Sequence, residues 1–98
     1  MGKKLPNTPR SRIKSDLHNL FLRSRERAAA LRRDHYTCRR CGKKQSRAKG
    51  KEAYVEVHHI NGILWSEIIQ FIYDQLLVNP ALLHTLCREC HRSEHNTD

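Results

Sequence analysis

Four cysteines stand in two matched pairs, Cys38-x-x-Cys41 and Cys87-x-x-Cys90, with 45 residues between them. Each pair can place two sulfurs on one short turn. Two such turns make a four-thiolate tetrahedral site for zinc. With all four positions filled by protein, such a site is closed and structural. A disulfide or redox reading of one pair leaves the second pair unexplained. No export signal follows the basic start Met1-Gly2-Lys3-Lys4-Leu5-Pro6, so reduced thiols are expected.

Histidine is the second constellation. Of seven histidines, His58 and His59 are adjacent, and His91 and His95 are spaced i, i+4. On a helix, His91 and His95 share a face. Cys87 and Cys90 belong to the same segment, and one residue step turns a helix by roughly 100°. The sulfurs and the imidazoles can therefore serve two distinct metal centres. In an extended segment His58 and His59 point to opposite sides. One then acts as a metal ligand and the other as a base, since imidazole accepts a proton near neutral pH. The plain alternative is that these are surface or packed histidines with no ligand.

Charge points to the partner. The chain of 98 residues has 19 Lys+Arg and 10 Asp+Glu, a net charge of +9. Residues 1–51 carry +14 and residues 52–98 carry −5. Arg39, Arg40, Lys43, Lys44, Arg47, Lys49 and Lys51 cluster beside the first cysteine pair and suit a polyanion such as DNA. A solubilising face is the alternative, but such surfaces normally mix both signs. No stretch approaches the ~20 apolar residues of a spanning helix, so no membrane partner is expected.

These groups need elements to hold them. Residues 1–8 read as a disordered basic tail and residues 9–98 as a single domain. Thr8-Pro9 marks a helix start. Ile13, Leu17, Leu20, Phe21, Ala28 and Leu31 then form one apolar face of a single helix running to about Arg33. Gly42 and Asn61-Gly62 mark turns. Tyr54-Val55-Glu56-Val57-His58 alternates and reads as a strand. Ser66 can cap a second helix with Ile68, Ile69, Ile72, Tyr73, Leu76 and Leu77 on its buried face. Asn79-Pro80 opens a helical turn, and a last helix spans about Cys87 to His95.

Together, Cys38-Arg39-Arg40-Cys41-Gly42, Glu56-Val57-His58-His59-Ile60 and Leu86-Cys87-Arg88-Glu89-Cys90-His91 with His95 resemble the HNH endonuclease family. The likeness covers about residues 36–95. It implies an α+β fold: a small zinc-stabilised ββα-metal, treble-clef-like core, here with a long N-terminal helix and an extra central helix. It implies that His59 is the general base and that His58, His91 and His95 hold one catalytic divalent cation, Mg²⁺, Mn²⁺, Ni²⁺ or Zn²⁺. Cys38, Cys41, Cys87 and Cys90 would hold one structural Zn²⁺. The implied activity is metal-dependent hydrolysis of phosphodiesters in double-stranded DNA, leaving 5′-phosphate and 3′-hydroxyl ends.

Similar compact HNH proteins occur in phages and prophages, often encoded near the packaging terminase. A terminase is therefore an expected partner, and the bacterial cytoplasm the expected compartment. One site handles one strand, so a monomer that nicks or a weak dimer is expected. One departure stands out. The family's middle Asn falls here on Leu82, and the nearest upstream Asn is Asn79. Asn79 can orient His59 as a catalytic residue, or simply cap the turn before Pro80. The competing functions are a non-catalytic zinc DNA-binding module and an accessory subunit of the terminase.

Overall fold

The computed structural model describes residues 7–94. The expected tail at residues 1–8 therefore lies largely outside the described residues, as does His95. Four α-helices and one 3-10 turn follow in order: α1 (Arg10–Leu22), α2 (Arg25–Arg33), α3 (Trp65–Gln75), a 3-10 turn (Pro80–Leu82) and α4 (Arg88–Ser93).

The single long N-terminal helix expected from the apolar spacing is instead two. Pro9 is the N-cap, with no side-chain cap from Thr8, and its carbonyl accepts from Arg12 and Ile13. The break falls at Arg23–Ser24. Ser24 is extended at φ −80°, ψ 155°, and its hydroxyl accepts the N–H of Arg27 at 3.1 Å. A serine side chain that offers the backbone another acceptor competes with helix propagation and starts a new helix. Arg27 also donates to the carbonyl of Leu22, which satisfies an end of α1.

α1 and α3 pack together, burying Ile13 at 6 % exposure and Ile69 at 4 %. Polar ends fasten the pair. The Arg10 guanidinium lies over the Tyr73 ring and donates to the Ser66 carbonyl, and the Tyr73 hydroxyl donates to the Thr8 carbonyl. The Lys14 ammonium lies 5.3 Å over the Trp65 ring. Early α1 thus meets late α3 and later α1 meets early α3, an antiparallel crossing. Ser66 lies inside α3. Leu64 occupies the N-cap without a side-chain bond, so the expected Ser66 cap is corrected.

The α+β expectation is overturned. Among the described residues there is no strand and no sheet, only the one-residue bridges Thr37↔Lys44 and Ser46↔Ala53. The ββα-metal, treble-clef-like core is therefore not formed. Tyr54–His58 has no regular secondary structure, and exposure alternates along it with Val55, Val57 and His59 half-buried. It pairs with no neighbouring strand, and a strand without a ladder partner is not stable as such. Its fixed point is the Val55 N–H, donated to Gln45 Oε1.

The chain is also not compact. Its radius of gyration is 20.3 Å, against about 13 Å for a globular chain of this length. α4 packs on none of the other helices. Leu76, Leu82, Leu83 and Leu86 are exposed along the segment that leads to it.

Candidate metal centre and nucleic-acid interface

The first cysteine pair sits on a well-defined turn. α2 ends at Asp34, and His35 and Tyr36 take left-handed backbone, φ 54° and 53°. This sharp reversal delivers Cys38 directly after the helix. The Cys38 N–H donates to the Lys43 carbonyl at 2.8 Å, and the Gly42 N–H donates to the Cys38 carbonyl at 2.9 Å. Gly42 closes the turn at φ +80°, a conformation that a side chain would strain.

Within this turn the Cys38 sulfur accepts the backbone N–H groups of Cys41 and Arg40, each at 3.4 Å. These donors, Cys41 first, hold the Cys38 thiol below its ordinary range, because hydrogen bonds to the thiolate favour it. The second pair repeats the device. Cys87 is the N-cap of α4, and its sulfur accepts the Cys90 N–H at 3.5 Å, which lowers its thiol likewise. Each pair therefore has the donor chemistry and local turn of half a zinc site. No group of three or more potential metal donors comes together among the described residues.

His58 and His59 differ in exposure, and both line a small cleft with Leu17, Leu20 and Phe21. His58 is exposed and lines a cleft of about 680 Å³ together with Leu31, Asp34, Tyr36, Cys38, Arg39 and Arg40. His59 is half-buried, its ring 4.5 Å from that of Phe21 and tilted by 51°. The turn that follows closes with the Gly62 N–H on the His59 carbonyl, Gly62 at φ +74°. His91 is exposed on α4 and shares no donor group with His58, while His95 lies outside the described residues. His84 is exposed as well.

Asn79 does what an N-cap does. Its side-chain oxygen accepts the Ala81 N–H at 2.9 Å and opens the 3-10 turn. The cap engages the side-chain oxygen alone.

The basic residues are displayed as the sequence suggests. Arg39, Arg40, Lys43, Lys44, Arg47, Lys49 and Lys51 are all exposed. Arg39 approaches Asp34 at 3.9 Å, but Asp34 is already held by two hydrogen bonds from Arg33 that keep its carboxyl below the usual range. Lys43, Lys44, Arg47, Lys49 and Lys51 form no ion pair among the described residues. Their positive charge is free for phosphates.

Three-dimensional packing adds residues that spacing alone does not single out. Phe21, Lys14 and Trp65 surround His59 in a second cleft between α1 and α3. Phe21 reads in sequence as one more apolar helix position, and only the fold sets it against an imidazole.

Comparison with protein-family models, curated proteins and solved structures finds no match to this chain.

Proposed function

We propose that this chain is a metal-dependent DNA endonuclease of the HNH type, steadied by one structural zinc ion. The carrying observation is the division between two adjacent imidazoles. His58 is open to solvent beside the arginine-bearing cysteine turn, and His59 is held by packing against Phe21. An open imidazole suits a cation ligand. A packed one suits a base whose orientation must be fixed.

Cys38, Cys41, Cys87 and Cys90 would hold the zinc, and the donor set fits it. His58 with His91, joined by His95 from the sequence motif, would hold the catalytic cation. When bound, that cation supplies charge stabilisation at the phosphoryl and leaving oxygens. His59 takes the proton from the attacking water. Arg39, Arg40 and the lysines of residues 43–51 neutralise the flanking phosphates. This function requires both cysteine pairs to share one ion, which carries α4 and His91 toward the turn at residues 38–41.

A non-catalytic zinc DNA-binding module is the second reading. That no group of three or more potential metal donors comes together among the described residues favours it. Plasmid nicking across a panel of divalent metals, with and without chelator, separates the two. Metal-dependent nicks support the endonuclease, and binding without nicks supports the module. Docking on a packaging terminase is compatible with either and is tested by pull-down with the purified terminase.

A further inference from the structure

α1, the turn after His59 and the first turns of α3 enclose a cleft of about 950 Å³. That volume falls within the ~300–1,000 Å³ typical of small-molecule sites. Leu17 and Phe21 line it from α1, and Ile63, Trp65 and Ile68 line it from the other side. His59 completes the wall through its tilted contact with Phe21. Lys14 stands at the rim with its ammonium over Trp65, and Glu67 lies nearby.

We infer that this cleft takes one unpaired nucleobase of a bound DNA strand, stacked on its aromatic wall with the adjoining phosphate toward Lys14. The inference rests on the DNA-binding part of the function proposed above and names the form of substrate. Aromatic faces accept any base, because every base has a π-face. A purely apolar ligand offers no anion to the Lys14 ammonium over Trp65, whereas a nucleotide meets both the wall and the cation. The strong positive charge of residues 1–51 selects a polyanion over an acid-poor peptide. A base seated in this cleft also lies against His59. Single-stranded or locally unpaired DNA is then preferred over intact duplex, where a base must first leave the stack.

Trp65 is the chain's single tryptophan, so its fluorescence reports on the cleft. The experiment titrates full-length protein, with no divalent metal added beyond its zinc, with a thymidine oligonucleotide of about ten nucleotides, a typical single-strand site size. An abasic strand of equal length and charge is the control. The base-bearing strand is expected to quench Trp65 and to bind about tenfold tighter than the abasic one, the scale of one stacked base. Phe21→Leu, checked for helicity by circular dichroism, is expected to erase that difference and leave abasic binding unchanged. If Phe21→Leu loses helicity, the wild-type comparison decides alone.

Equal binding of both strands with Trp65 unmoved overturns the inference while DNA binding stands. Binding of neither strand overturns both. A Trp65 response to an apolar naphthalene dye but not to the oligonucleotide assigns the cleft to an apolar partner and also overturns it.

Discussion

His58 and His59 are neighbours in the chain but differ in setting: His58 is exposed and lines a cleft with Cys38 and Arg40, whereas His59 is half-buried with its ring 4.5 Å from that of Phe21. If His58 is the ligand, His58→Ala should shift the metal dependence of cleavage to higher concentration while leaving DNA affinity nearly unchanged. Cleavage rate against metal concentration measures this. An unshifted metal curve removes His58 from the cation site.

Zinc should bind one per chain and should need both cysteine pairs. Cys87→Ser is expected to drop the zinc content well below one equivalent and to lower the thermal midpoint, because metal binding energy becomes folding energy when it joins distant segments. Elemental analysis with a thermal melt checks both. Cys41→Ser should have the same effect. Independent behaviour of the two variants would mean that the pairs do not share an ion.

DNA binding should weaken steeply with salt. Each phosphate neutralised on a duplex contributes about 0.9 to the slope of log K against log salt. Replacing Lys43 and Lys44 with Gln should therefore flatten that slope by up to about 1.8 if both contact phosphate. Affinity titrations at several salt concentrations read this directly.

The α1–α3 pairing should depend on its few buried side chains. Ile69 is 4 % exposed and Ile13 is 6 %, so Ile69→Ala should cost about 2–4 kcal/mol. The measurement is denaturant unfolding followed by circular dichroism. A change under ~0.5 kcal/mol, typical of surface positions, would show that Ile69 lies outside the core.

Some of this was legible in the residues. Gly42 and Gly62 do take positive φ at turns, and the central helix forms with its N-cap two residues before the expected Ser66 and with Ile69 buried. The break at Ser24 was hidden. Phe21 and Ala28 are seven residues apart, so helical periodicity runs straight across a stop that one hydroxyl creates. The alternation from Tyr54 to His58 is real as a pattern of exposure, but alternation carries no information about a partner, and no ladder forms. Local turn chemistry at Cys38 and Cys87 was readable from spacing. The distance between the two turns was not, because it depends on how 45 intervening residues fold. At Asn79 the capping half of the reading was legible from Pro80, and its side-chain oxygen accepts the Ala81 N–H.

The most direct test is supercoiled-plasmid cleavage with added divalent metal, comparing wild type with His59→Ala and scoring DNA binding in parallel. The expected result is metal-dependent nicking by wild type, none by His59→Ala, and DNA binding retained by both. Full nicking by His59→Ala, or no nicking by wild type with any metal, would contradict the proposed endonuclease.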